Sequence, residues 1–360
     1  MAAASVSRPW LQPTGLEVPA LQIIMEANIP AILWGMPGEG KTASIEALAD
    51  AQDAHLEVII GSQFSAHDIA GLPQAVDGRV EHIPPLWAQN LAAQPAGRRT
   101  ILFLDELDKC PHETQNAALR IVRERQVGAL RLPAGCRVVA AANPPYLGGW
   151  DLPSAMANRF AHLDWALDIP AVLEGLNTGF WPPIQVLQRD LAAQAEPLAR
   201  WRGLTTAFLL DREDLVRDLA ASVAGQGRAW PSPRSWEMLQ RVMAVADTGP
   251  LDSELEKVLV GACVGKAAAT VLLAWARPVR DASPERALAN PAGYALPELA
   301  THVVAVIRMV AAAVAVQLTK ERLDAAATLY ERLYQHHAEA VNTAIRYLRH
   351  AIGDRPDLHI

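Results

Sequence analysis

Apolar residues follow two rhythms along this chain, and one gives way to the other near residue 168. Before that point, short apolar runs bounded by polar clusters read as strands. They are Ala31–Trp34 (AILW), Leu56–Gly61 (LEVIIG), Thr100–Asp105 (TILFLD), Arg137–Ala142 (RVVAAA) and His162–Leu167 (HLDWAL). Helical spacing appears before the first run, in Leu16–Pro30, and between later ones, in Thr42–Gln52 and Pro111–Val127. Continuously apolar strands alternating with helices predict a parallel sheet covered on both faces.

Beyond residue 168 the strand signals stop. Ile184–Trp201, Arg212–Gly225, Pro233–Ala246 and Ser253–Ala276 all carry helical periodicity, and two long alanine-rich stretches complete the chain. The proline-bearing segment Ala276–Gly293 reads as a joint. The pattern divides the chain into an N-terminal segment and α/β core over 1–167, a helical region over 168–277 and a C-terminal helical extension over 278–360. No fixed-period repeat or low-complexity tail interrupts it.

Composition narrows the function classes. The 360 residues suffice for two or three domains, and 51% hydrophobic with 20% charged residues is the profile of a folded soluble chain. A formal charge of −7 provides no overall positive field to draw nucleic acid or anionic lipid. Three widely spaced cysteines, Cys110, Cys136 and Cys263, form no CxxC pair and read as structural thiols in a reducing compartment. Residues 1–15 hold a single Arg and no apolar core, unlike an export signal. The most membrane-like run, Val303–Leu318, carries Arg308 near its middle, where a bilayer would penalise it by ~2.5–3.5 kcal/mol. A buried helix in a cytoplasmic protein without membrane contact is the expectation.

The candidate chemistry begins at Gly35–Thr42, GMPGEGKT, which fits G-x-x-x-x-G-K-[ST]. Glycines let backbone N–H groups curl around a phosphate, and the following helix aims its positive end at the same anion. In such a loop Lys41 reaches the terminal phosphates and the Thr42 hydroxyl binds Mg²⁺. Asp105, at the carboxyl end of an apolar strand, is placed to hold that Mg²⁺ through water. Glu106 beside it exceeds what the metal needs, so it can orient and deprotonate a water that attacks the γ-phosphate. Asn143 ends another strand in AAANPP, where its amide can hold either the attacking water or the γ-phosphate. Arg159, in MANRF, is either a salt-bridge partner or an arginine finger reaching a neighbouring subunit. In SPRSW, Ser232 reads as an N-cap and Pro233 as the first helical residue, leaving Arg234 in the first turn. A cation there opposes the helix dipole unless a phosphate lies nearby, so Arg234 reads as a nucleotide sensor.

These five motifs, in this order from about Ala31 to Trp236, resemble the AAA+ ATPases and, more narrowly, their MoxR-type branch. QVGALRLPAGCRVV resembles that family's short hairpin before the sensor strand, and Phe64–Leu91 looks like its insertion within the second helix. The resemblance implies an AAA+ αβα core with a five-stranded parallel sheet in the order 5-1-4-3-2, an all-α lid and a ring, usually of six. It implies ATP and Mg²⁺ as ligands. Gly35, Met36, Pro37, Gly38, Glu39, Gly40, Lys41 and Thr42 would form the phosphate loop, and Thr42 with Asp105 the Mg²⁺ site. Glu106 would activate water, Asn143 act as first sensor, Arg159 as finger in trans and Arg234 as second sensor. It further implies a chaperone-like remodeller, often paired with a von Willebrand factor A domain protein. The aromatic-hydrophobic-Gly pore loop of unfoldase relatives is missing from the sequence, so threading gains no support. Two alternatives stand beside the remodeller: a nucleotide-gated assembly scaffold with slow turnover, and a nucleic-acid motor using Arg123, Arg125 and Arg131. The acidic total argues against the motor.

Overall fold

The computed structural model describes residues 15–76, 78–144, 152–166, 169–179, 184–218, 227–279 and 282–353. The N-terminal 1–14, half of the Arg212–Gly225 stretch, the end of HLDWAL and part of the 276–293 joint lie outside them. The chain divides into two compact units, one of residues 1–188 with 219–230 and one of residues 189–218 with 231–360.

The first unit holds strands β1 (Ala31–Trp34), β2 (His55–Ile60), β3 (Leu72–Val76), β4 (Arg79–Ile83), β5 (Thr100–Asp105), β6 (Gln126–Val127), β7 (Leu130–Arg131), β8 (Cys136–Ala142) and β9 (Ala161–Asp164). Its helices are α1 (Glu17–Glu26), α2 (Lys41–Ala51), α3 (Ala66–Ala70), α4 (Leu86–Ala92), α5 (His112–Glu124), α6 (Ser154–Ala157) and α7 (Ile169–Thr178). Five strands make one parallel sheet in the order β2-β5-β8-β1-β9. Counting only these five in chain order, the arrangement is 2-3-4-1-5, the expected 5-1-4-3-2 read from its other edge. Ile32, Leu102, Leu104, Val138 and Ala140 share one core cluster with Trp87 and Leu91 of α4 and Ala118, Ile121 and Val122 of α5. Alternate residues, among them Leu33, Ile101, Phe103 and Val139, are equally buried and point to the other face. That double burial is why β1, β5 and β8 lack a polar face. Removing each large apolar side chain from water contributes about 1.5–3 kcal/mol.

Two small hairpins stand apart from the sheet. β6 and β7 form the short one expected before β8. β3 and β4 form another within Phe64–Leu91, with Leu72 and Val80 exposed.

The second unit is helical: α8 (Ala195–Asp211), α9 (Pro233–Ala246), α10 (Ser253–Val264), α11 (Lys266–Ala276), α12 (Pro284–Ala289), α13 (Ala300–Val316) and α14 (Lys320–Ile352). α13, the membrane-like run, packs against α8 and α14 with Val306, Ile307, Val310 and Val314 buried. No helix among the described residues is long and apolar enough to cross a membrane.

Three details depart from the periodicity. Ile184–Asp190 is not helical, because the buried Gln22 side chain claims its backbone: Nε2 donates to Gln185 O at 3.0 Å and Oε1 accepts from Leu187 N–H at 2.9 Å. Ser253–Ala276 is two helices, broken at Gly265, whose φ of 85° and ψ of 152° leave helical space. The described part of Arg212–Gly225 contains only a 3₁₀ turn, Glu213–Leu215. All three cysteines are unpaired and buried, and burial pushes Cys110 up to about 11 and Cys263 up to about 12.

Candidate active site

The carboxyl ends of β1, β5 and β8 meet in the first unit. Gly35 follows β1 directly, and the loop to Gly40 turns into α2 without a side-chain cap. Gly38 and Gly40 adopt φ of 84° and 72°, which other residues reach only under strain, and nothing lies within 4 Å of a Cβ built on Gly38. Uncapped N–H groups at a helix start beside open space make an anion cradle. Met36 and Glu39 stiffen its base: Met36 N–H donates to Glu39 Oε2 at 2.6 Å, and Glu39 N–H to Met36 O at 3.3 Å. Pro37 lies between them in the same turn.

Lys41 is 8% exposed. Its Nζ donates to Gly35 O at 2.7 Å and Met36 O at 3.0 Å, and lies 3.5 Å from Asn143 Oδ1. Burial lowers its pKa below the ordinary lysine value, while Asp105, Glu39, Asp108 and Glu106 act the other way. An ammonium held among carboxylates and carbonyls at the loop's floor is suited to a phosphate that can replace the carbonyls as its partner.

Thr42 Oγ1 donates to Asp105 Oδ2 at 2.6 Å, and Asp105 Oδ1 accepts from Glu106 N–H at 2.9 Å. A hydroxyl and a carboxylate in contact beside a phosphate cradle are the hard oxygen donors that Mg²⁺ prefers, so these residues fit that ion. The chain turns sharply after Asp105, with Glu106 at φ 54° and ψ 41°. That left-handed turn sends the Glu106 side chain away from Asp105, where the Ser62 hydroxyl donates to its Oε2.

The same turn buries Asp108 to 2% exposure against the end of β8. Its Oδ1 accepts from Asn143 N–H at 3.1 Å and its Oδ2 from Asn143 Nδ2 at 3.3 Å. Lys41, Thr42, Asp105, Glu106 and Asn143 thus lie together at one end of the sheet.

Arg159 and Arg234 are carried by other segments of the chain. Arg159, between α6 and β9, donates to Ala155 O within its own turn. Arg234 belongs to the second unit, exposed in the first turn of α9. Ser232 caps that helix, accepting from Ser235 N–H at 3.1 Å, with Pro233 as its first residue.

Four residues that sequence reasoning missed also shape the site: Ser62, Asp108, His162 and Arg228. Trp34 Nε1 donates to His162 Nδ1 at 3.0 Å, and His162 Nε2 donates to Ala157 O at 2.8 Å. Only the neutral imidazole satisfies both contacts. Burial pulls its pKa down to about 4; Arg228 adds to the shift, and the Ala157 carbonyl and Asp164 oppose it. Arg228 lies 4.5 Å from the Trp34 ring centroid and pairs with Asp164 at 2.8 Å. The residue just before the phosphate loop is therefore held by both His162 and Arg228. No local spacing announces these four. The nearest sequence signal is the Gly-Ser pair, Gly61 and Ser62, that closes β2.

Residues 30–160 match the AAA domain family, dynein-related subfamily. Comparison with curated proteins finds no match. Among solved structures, a “putative ATPase” from Cytophaga hutchinsonii is similar at 18% identity and a TM-score of 0.45, over 69% of this chain and 79% of that one. A full-length MCM homolog from Methanopyrus kandleri is similar at 18% identity and a TM-score of 0.39, over 72% of this chain and 54% of that one. The parallel sheet, the phosphate loop at the end of β1 and the paired acids at the end of β5 agree with the match of residues 30–160 to the AAA domain family.

Proposed function

We propose that this chain is a Mg²⁺-dependent AAA+ ATPase of the MoxR type, which assembles into a homo-oligomeric ring and uses ATP hydrolysis to remodel a protein client or adaptor. The observation that carries the reading is the second acid. Thr42 and Asp105, in contact beside the phosphate loop, would hold the metal, and Glu106 stands beside them with its carboxylate engaged by the Ser62 hydroxyl alone among the described residues.

The residues divide the work as follows. The N–H groups of the phosphate loop and Lys41 hold the β- and γ-phosphates. Thr42 and Asp105 would hold Mg²⁺, which would supply charge neutralisation on the phosphate oxygens. Glu106 takes a proton from water as the water oxygen bonds the γ-phosphorus and the bond to the departing ADP oxygen breaks. Asn143 orients that water. Arg159 of a neighbouring protomer and Arg234 would then stabilise the charge that develops on the transferred group.

Steady-state ATP hydrolysis and nucleotide binding with two variants test the reading. Glu106→Gln should bind ATP and hydrolyse it at least about 100-fold more slowly. Lys41→Ala should lose nucleotide binding itself. Undiminished turnover in Glu106→Gln would remove the proposed base. One observation favours the slow scaffold instead: the Glu106 carboxylate is already engaged by Ser62. Nucleotide-dependent assembly with unmeasurable turnover would select that alternative.

A further inference from the structure

We infer that Asp108 is a positioning residue that sets which end of the Asn143 amide faces the phosphate pocket, an inference that rests on the ATPase reading. A carboxylate two per cent exposed is costly to keep unless its oxygens are satisfied. Here both go to one residue. Oδ1 takes the Asn143 backbone N–H at 3.1 Å and Oδ2 takes the side-chain Nδ2 at 3.3 Å. A single acid thus grips the strand end and its amide together.

The orientation follows from chemistry alone. A carboxylate only accepts, so the amide end turned towards Asp108 must be the nitrogen. An ammonium only donates, so the end turned towards Lys41, at 3.5 Å, must be the oxygen. The two constraints agree, and a flipped amide would set donor against donor at Lys41 and acceptor against acceptor at Asp108. Asn143 therefore presents its Oδ1, an acceptor, on the Lys41 side. Such a group takes a hydrogen, from Lys41 in this structure and from the attacking water during turnover. Of the two roles open to this strand-end amide, holding the water is the one Asp108 enforces.

The backbone supports the assignment. Glu106 at φ 54° reverses the chain after β5, and the 3₁₀ turn Leu107–Lys109 delivers Asp108 beneath the end of β8. The water activator and the residue that orients the water holder are thus two positions apart on one turn.

The test is a double-mutant cycle on the full chain, with kcat, ATP affinity at equilibrium and thermal midpoint measured for each variant. Asp108→Asn keeps the shape of the side chain but places a donor where two acceptors are needed. It should lower kcat by about 10–100-fold while ATP affinity holds and the thermal transition stays cooperative. Asn143→Ala should cost a similar factor, and the double variant should be no slower than Asn143→Ala alone, because Asp108 acts only through Asn143. An unchanged kcat in Asp108→Asn, losses that multiply in the double variant, or a collapse of the thermal transition would each overturn the inference. A wild-type chain without hydrolysis would defeat it together with the ATPase reading; normal wild-type turnover with an unaffected Asp108→Asn defeats it alone.

Discussion

Glu106 follows β5 with its carboxylate held by a hydroxyl from the end of β2, so its freedom to reach water depends on Ser62. A hydrogen bond to an exposed charged group contributes about 1 kcal/mol, which corresponds to about fivefold in rate. Ser62→Ala should therefore raise basal ATP turnover about fivefold; a fall would show that Ser62 supports the reacting arrangement. His162 makes a different prediction. Its folded pKa is about 4 against an ordinary 6.5. Between those values the unfolded chain binds a proton that the folded chain refuses. Its stabilising contribution is present above pH 6.5 and is lost as pH falls towards 4, by about 1.4 kcal/mol per unit. Urea midpoints at pH 7 and pH 4.5 should separate more in the wild type than in His162→Gln. The residues with local signatures were legible: Lys41 and Thr42 from a fixed spacing, Asp105 and Glu106 from an apolar run ending in acid. Ser62, Asp108, His162 and Arg228 were not, because they bond across 44, 35, 128 and 64 positions. Short-range patterns carry no trace of such pairings.

At the scale of elements, β2 and β5 approach too closely for a side chain at their meeting point. A Cβ on Gly61 would stand 2.2 Å from Cys110 Sγ and 2.8 Å from Glu106 O. Gly61→Ala should lower stability by about 1–3 kcal/mol and copy the kinetic effect of Ser62→Ala, since it pries the same two strand ends apart. Denaturant titration alongside turnover checks both parts. Ser232→Ala should cost about 1 kcal/mol through loss of the α9 cap, by the same titration. The central strands β1, β5 and β8 were readable because burial on both faces leaves a nearly uninterrupted apolar run. The β3–β4 hairpin was not, since strands such as Arg79–Ile83, largely exposed, have no buried face to impose alternation. Helicity over Ile184–Asp190 was predicted and does not occur, because Gln22, 163 positions from Gln185, competes for the backbone and wins.

For the whole molecule, the proposed ring makes catalysis a property of assemblies. Arg159 is engaged within its own turn, so its service as a finger requires release towards a neighbour. Arg159→Ala should cripple hydrolysis yet bind ATP almost normally. Mixing it with Glu106→Gln should restore activity, because some interfaces then combine an intact acid with an intact arginine. Absence of complementation where both variants assemble would place Arg159 outside the site. The layout of the chain has a consequence for biosynthesis. The first unit takes its last segment, residues 219–230, from beyond part of the second. Arg228 is made 64 residues after its partner Asp164. Translation proceeds from the N-terminus, so the support beneath Trp34 cannot be finished when β9 emerges from the ribosome. It waits until α8, which belongs to the other unit, has already been synthesised.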